Sequence, residues 1–497
     1  MKKSKAYIFK CSACGHEEPK WLGRCPECGE WNTLIETAVS APDGMRAARA
    51  QRGIPRSLPL SAIDPQEGTR ISSGIGELDR VLGGGIMKRS AILVGGEPGI
   101  GKSTLLLQAA AAAETTGRIL YISGEESAGQ VRMRADRLGL LSGVSGADGG
   151  KTAQAGKTAQ AAQAAQTARA DRIEIVCSAR LEDISVILDA VKPVIIMVDS
   201  VQTLFSPEVG LVPGTVNQMK YCSFELISWV KEHDAALFLA AHVTKDGIIA
   251  GPKTLEHMVD TVLYFEQNDR PGDGQDSRFL RAAKNRFGSV DELGIFTMTD
   301  KGLKVVEDPS ALFLIRRDGE LPPGVAVAAV LEGSRCFLVE IQALAVPARA
   351  SINRVFSDRI DSLRVSRVSA ALEKHLKLRL QDHDLYINVA GGIRVNEVGI
   401  ELALAGAIYS ARTGLALPPQ TALAGELSLA GEVRPVRRLN TRIKTSRSLG
   451  FTRFLGPVPD SGDAETAPAE SSGTHRITSI KNAITLLFAP QKQGGTD

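Results

Sequence analysis

The sequence predicts an α/β protein whose centre is a parallel sheet clad on both faces by helices. Three observations carry that prediction. Short apolar runs, SAILVGG, RILYISG, PVIIMVDS and AALFLAAHV, recur between residues 90 and 243. Helix-like segments such as KSTLLLQAAAAAE alternate with them, and strands separated by helices build parallel sheets covered on both sides. The first run opens into a glycine-rich loop followed by a helix, the strand-loop-helix order of a phosphate-binding fold.

The chain has 497 residues, enough for about three domains at roughly 150 residues each. A formal net charge of +3 is too small to imply a polyanion partner across the whole surface, so any nucleic-acid surface must be local. The segment MKKSKAYIFKCSACGH has no apolar run long enough for a secretion signal, and no stretch approaches the ~18 apolar residues of a membrane span. A cytoplasmic location and no membrane partner are expected.

Residues 1–35 hold Cys11-x2-Cys14 and Cys25-x2-Cys28, and each such turn can aim two thiolates at one tetrahedral Zn²⁺. So little apolar sequence surrounds the cluster that this module should need its metal to fold. Lys10, Lys20 and Arg24 can meet phosphates, yet thiolates on zinc leave a negative charge that offsets them, so both DNA and protein remain open as contacts. Cys177, Cys222 and Cys336 stand in apolar contexts that read as core packing.

Residues 36–65, rich in Ala, Arg, Gly and Pro, read as a linker. The α/β core spans 66–310. Within it, residues 142–170 contain the near repeat GKTAQAGKTAQAAQAAQTA, which lacks large apolar side chains and reads as an insertion without catalytic weight. Residues 311–490 form a further α/β domain, from GVAVAAVLEG through VGIELALAGAIYSAR.

Gly96, Glu97, Pro98, Gly99, Ile100, Gly101, Lys102 and Ser103 fit G-x-x-x-x-G-K-[ST], with Thr104 next. The glycines let backbone N–H groups wrap phosphates at the positive end of a helix. Lys102 is expected to reach the β- and γ-phosphates of ATP, and Ser103 to ligate Mg²⁺. Asp199 ends the strand of PVIIMVDS, where a carboxylate at the sheet's carboxyl edge can hold the Mg²⁺ shell. Glu125 and Glu126 follow another strand, and Glu125 is the better placed to polarise an attacking water. In KNRFG, residues 284–288, Lys284 and Arg286 share one face of an expected strand, where basic residues ordinarily meet water.

The order of the cysteine cluster, GGEPGIGKST, LYISGEES, VDSVQT, HVTKDGIIAGP, LEHMVD and KNRFG resembles the bacterial DNA repair and recombination family RadA, also called Sms, along nearly the whole chain. The resemblance implies a RecA-like ATPase that assembles as a ring-shaped hexamer, binds single-stranded and branched DNA beside a RecA-type recombinase, and drives branch migration. It implies Glu125 as catalytic glutamate, Asp199 as the Mg²⁺-associated aspartate and His242 as a sensor of the γ-phosphate. It also implies that residues 244–252 touch DNA. With glycines, little bulk, Lys245 and Lys253, the segment TKDGIIAGPK suits sequence-independent contact with a nucleic-acid backbone. KNRFG falls at a subunit boundary in such assemblies, so Lys284 and Arg286 are expected to reach the γ-phosphate held by the neighbouring subunit.

Chains of this family end in a Lon protease-like domain, and AGELSLAGEVRPVRRLNTRIKTSRSLGF matches the Lon segment that carries the catalytic lysine. The lysine position falls on Arg442, and Ile400 stands near the place of the serine. Isoleucine offers no nucleophile and arginine is a poor general base, so proteolytic inactivity is expected. Arg434, Arg437, Arg438, Arg442, Lys444, Arg447 and Arg453 make this domain a candidate for DNA binding as well as assembly. Three functions follow: a DNA-dependent ATPase motor, an ATP-switched regulatory scaffold, and an ATP-dependent peptidase, which the missing dyad disfavours.

Overall fold

A computed structural model describes residues 7–11, 16–18, 20–31, 33–38, 59, 61, 69–141, 170–210, 212–242, 254–267, 276–315, 317, 319, 321–348, 354–458 and 473–488. Most of the expected linker and nearly all of the insertion at 142–170 lie outside the described residues. The chain forms two compact units, Met1–Glu67 and Gly68–Asp497. Among the described residues no helix is long and apolar enough to cross a membrane.

In the first unit, strands β1 (Tyr7–Cys11), β2 (Glu17–Glu18) and β3 (Leu34–Ala38) form an antiparallel sheet in the order β2-β1-β3. Among the described residues its buried apolar set is Cys11 and Cys25, with Phe9 against them. A core of that size offsets little chain entropy, which leaves the cysteines to hold the unit together.

The second unit opens with the short pair β4 (Arg70–Ile71) and β5 (Ile86–Met87). A nine-stranded sheet follows: β6 (Ser90–Gly96), β7 (Ile119–Ser123), β8 (Ile173–Val176), β9 (Ile195–Asp199), β10 (Ala236–His242), β11 (Thr261–Gln267), β12 (Asp276–Asn285), β13 (Leu293–Thr299) and β14 (Gly302–Val305). Their spatial order is β14-β13-β12-β11-β6-β10-β9-β7-β8. The strands from β8 to β11 pair in parallel, as the alternation with helices requires. The sheet is not parallel throughout. β11 to β14 run antiparallel, because connections of eight residues or fewer are too short for a crossover and return the chain directly beside itself. All seven residues of β6 are buried, and separate apolar clusters cover the two faces, which is why this strand reads as a continuous apolar run.

A second sheet holds β15 (Val325–Glu332), β16 (Arg335–Pro347), β17 (Val355–Ser357), β18 (His383–Val389), β19 (Thr421–Leu423), and, beyond the hairpin of β20 (Glu426–Leu427) and β21 (Val433–Arg434), β22 (Arg453–Gly456) and β23 (Thr474–Arg476). Its order is β17-β18-β16-β15-β19-β22-β23. Helices Ser362–Leu376, Glu401–Thr413 and Ile480–Phe488 cover one face, and Leu439–Ser448 lies against the other. The two sheets share a core, since Phe279, Leu293 and Ile295 of the first pack into the same cluster as Phe337 and Val339 of the second, together with Phe313 of the short helix Ser310–Phe313. Arg335 clamps the joint with bonds of 2.8 and 2.9 Å to the buried carboxylate of Glu77, which also accepts the Ile295 N–H.

Candidate nucleotide site and its surroundings

β6 ends at Gly96 and helix Lys102–Ala112 begins six residues later, so the loop between them must turn sharply at the carboxyl edge of the sheet. Gly99 at φ 78° and Gly101 at φ 113° supply left-handed backbone that other residues rarely adopt. A Cβ on Gly96 would lie 2.8 Å from the carbonyl oxygen of Phe265 on neighbouring β11, so this position also needs glycine for space. Glu97, Pro98 and Gly99 are exposed, Ile100 is buried, and Ser103 and Thr104 stand half-buried in the first helical turn.

Lys102 is buried and donates to the carbonyl oxygens of Gly96 (2.8 Å) and Glu97 (2.9 Å). Its Nζ also lies 3.2 Å from Nδ1 of His242, and Nε2 of that ring lies 3.3 Å from Oε1 of Glu125. Lys102 can only donate, so His242 accepts at Nδ1 and carries its proton on Nε2, facing the carboxylate. Burial lowers the Lys102 ammonium to about 8, against the pull of Asp199 and Glu125. Burial works against ionising Glu125, but hydrogen bonds from Ser200 (2.5 Å) and His242 outweigh it and hold the carboxyl below its ordinary range.

Glu126 turns to Arg134 and not to His242: its carboxylate is 2.5 Å from that guanidinium, which also lies 4.0 Å from Asp199 and whose helix starts at a capping box of Ser127 and Gln130. Asp199 is buried at the end of β9 and accepts the Tyr121 hydroxyl at 2.7 Å, and burial together with this carboxylate holds the tyrosine protonated. Sequence reasoning missed Tyr121, Ser200 and Arg134. The signal for Ser200 was its place next to Asp199, while Tyr121 and Arg134 carried none, being an ordinary strand aromatic and a helical cation.

Lys284 and Arg286 stand apart from this loop. Val262 pairs with both Leu93 and Lys284, so Lys284 sits three strand positions back from Gly96 and two strands across, roughly 10 Å in each direction. Both cations turn toward the segment 256–260. Only Lys284 belongs to the strand, since β12 ends at Asn285. Its ammonium donates to the carbonyl oxygens of Glu256 (2.9 Å) and Val259 (2.7 Å), and its pKa is lowered by burial and by Arg286. Arg286 lies 3.6 Å from buried Asp260 with its own side chain 60% exposed. Lys245 and Lys253 lie outside the described residues.

In the first unit the ligand atoms of Cys11, Cys25 and Cys28 fall within 4.8 Å of one another, and the Cys11 and Cys28 sulfurs are 3.6 Å apart. Sulfurs around one tetrahedral zinc stand about 3.8 Å apart, so the set fits that ion. Turn bonds from Cys25 N–H to Glu30, Gly29 N–H to Cys25 and Cys11 N–H to His16 shape the knuckles. Cys14, the expected fourth ligand, lies outside the described residues.

In the C-terminal half Arg442 is fully buried, which removes it from any DNA-facing surface. Its guanidinium donates to the carbonyl oxygens of Arg437 (2.9 Å) and Ala329 (2.5 Å) and forms a fork to both carboxylate oxygens of Glu397. Ile400 is not the residue facing it. Ile400 packs in the apolar core, whereas a Cβ on Gly399 would lie 3.2 Å from Arg442 Nη1. Glycine, arginine and a neutralising glutamate contain no nucleophile and base pair of the Ser/Lys kind.

A buried lysine on a phosphate loop, two carboxylates at adjoining strand ends and a mainly parallel sheet define an ATP-hydrolysing enzyme of the RecA-like P-loop class. It carries a zinc ribbon before that core and a Lon-like domain after it. Family models agree with this division: an ATPase model described as KaiC matches residues 71–310, a rubredoxin metal binding domain matches 9–36, and subunit ChlI of Mg-chelatase matches 359–460. The chain is 52% identical to the DNA repair protein RadA of Treponema pallidum over 92% of its own length and 93% of that protein's. Identity is 40% to RadA of Bacillus subtilis (90% and 92% covered) and 39% to RadA of Pseudomonas aeruginosa (97% and 98%). The chain belongs to the RadA family.

Proposed function

We propose that this chain is an ATP-dependent DNA motor of recombinational repair, which hydrolyses ATP to drive branch migration and unwinding on single-stranded and branched DNA. The observation that carries the reading is the contact series from Lys102 through His242 to Glu125. His242 is the last residue of β10, and only Val243 separates it in sequence from the glycine-rich segment 244–252. A change at the γ-phosphate would thus be felt by the residue from which the DNA-contacting segment departs, with Lys245 and Lys253 on phosphates.

Ser103 and Asp199 would hold Mg²⁺, which supplies charge neutralisation on the triphosphate. Glu125, held ionised by Ser200 and His242, would orient the attacking water. The working form is a homohexameric ring acting beside a RecA-type recombinase, with Lys284 and Arg286 completing the neighbour's site. Their distance from their own phosphate loop supports that assignment. Exposed Arg434, Arg437, Arg438, Lys444 and Arg447 offer the C-terminal half a further phosphate-tracking surface.

The deciding experiment compares ATP turnover with and without single-stranded DNA across a salt series. Stimulation that fades steeply with salt is expected for a motor. Turnover indifferent to DNA would favour the ATP-switched scaffold instead.

A further inference from the structure

We infer that the C-terminal half completes the nucleotide site, with Arg394 and Asn396 holding the base of the ATP whose phosphates lie on residues 96–103. This rests on the reading of that loop as the ATP phosphate site.

Strand order gives the direction of the ligand. β6 lies between β10 and β11, and Glu125, Asp199 and His242 come from the ends of β7, β9 and β10, all to one side. Lys102 turns to that same side, so the reacting γ-phosphate belongs there. A nucleotide carries its base at the opposite end, which must therefore leave toward β11. On that side lies a cavity of about 540 Å³ lined by Glu97 and Ile100 of the loop, Glu266 and Arg281 of the adjoining strands, and Arg394 and Asn396 of the C-terminal half. Its size falls within the range of roughly 300 to 1,000 Å³ usual for small-molecule sites.

The wall from the C-terminal half is held in place from both sides. Arg281 on β12, paired with Glu332 at 3.3 Å, donates to the Arg394 carbonyl at 3.4 Å. Arg364 donates to the carbonyls of Asn396 (2.8 Å) and Glu397 (2.9 Å), and the Val395 N–H to Arg359 (3.0 Å). While this backbone is fixed, the side chains of Arg394 and Asn396 are exposed and make no hydrogen bond or ion pair among the described residues. Their chemistry suits a purine. A guanidinium plane stacks on an aromatic ring, and an asparagine amide pairs donor to acceptor with the amino group and ring nitrogen of adenine. The C-terminal half would then sense whether the ATPase site is filled.

The test measures binding of ATP, ADP, GTP and inorganic tripolyphosphate to the full chain by calorimetry. Arg394→Ala is expected to weaken ATP and ADP about tenfold and leave tripolyphosphate unchanged, while Asn396→Ala narrows the preference for ATP over GTP. Lys102→Ala should weaken all four. Unchanged ATP affinity in Arg394→Ala, or an equal loss for tripolyphosphate, would overturn the inference while leaving the phosphate site standing. Wild-type chain that binds tripolyphosphate and ATP no better than Lys102→Ala would overturn both.

Discussion

His242 stands between Lys102 and Glu125, with one ring nitrogen 3.2 Å from the ammonium and the other 3.3 Å from the carboxylate. The imidazole thereby ties the residue that would meet phosphate to the one that would meet water. His242→Ala is expected to keep ATP binding and to lose stimulation of hydrolysis by DNA. Glu125→Gln should lower turnover by roughly 10² to 10⁴, and Glu126→Gln far less, because Glu126 serves Arg134. Single-turnover hydrolysis and nucleotide binding measured on all three variants check this ordering.

The depressed Lys102 pKa sets a pH dependence. In the free chain Lys102 loses its proton near pH 8, while a bound triphosphate stabilises the charged ammonium. The complex therefore holds more protons than the free chain above pH 8, so ATP affinity should be flat below that pH and fall above it, with proton uptake on binding. Linkage to folding has the opposite sense: the ordinary lysine value of the unfolded chain, 10.5, exceeds the folded one, so this group's destabilising effect is relieved as pH rises from about 8 toward 10.5. Calorimetry in two buffers of different ionisation enthalpy counts the protons.

Arg442→Ala should leave the half-buried Glu397 without its cation and the Ala329 carbonyl without its donor, costing up to roughly 3 kcal/mol, the low end of the usual penalty for breaking a buried pair. Replacing Arg442 and Glu397 together by apolar residues should recover much of that loss, and denaturation midpoints separate the two cases. Neither the wild-type chain nor any of these variants should cleave an unfolded protein in the presence of ATP. Cleavage abolished by Arg442→Ala would contradict the assignment of Arg442 to structure.

Metal removal should act locally. Chelation is expected to unfold residues 1–35, whose buried core among the described residues is little more than the cysteines themselves, and to leave ATP binding intact because the phosphate loop has its own core. Nucleotide affinity and zinc release followed on one sample would show the two separating, and simultaneous loss would refute their independence.

Mixed assemblies test the boundary role of KNRFG. Lys284→Ala and Arg286→Ala should each bind ATP and lose hydrolysis, since such cations contribute roughly 10³ to 10⁵ in turnover at phosphoryl-transfer sites. Mixing Arg286→Ala with Lys102→Ala chains should restore some turnover, because some boundaries then join an intact loop to an intact cation. No rescue in verified mixed oligomers would place the cations within their own subunit's chemistry.

What the sequence determined by itself was whatever is built from neighbouring residues. The phosphate loop is contiguous, so its glycines, Lys102 and the helix after it could be read in a line, and the same holds for the spacing of Cys25 and Cys28 in their knuckle. The apolar runs of the parallel strands were equally legible, because strands buried on both faces leave no polar alternation. Tertiary structure decided what depends on strand order. Adjoining strand ends bring Glu125 rather than Glu126 to His242, although 117 residues separate Glu125 from that ring. The fold also sets Gly399 rather than Ile400 against Arg442, and joins Arg281 to the Arg394 carbonyl across 113 residues. Even the antiparallel run from β11 to β14 escaped the reading, because pairing direction is fixed by where a connection returns the chain and not by the side chains of the strand.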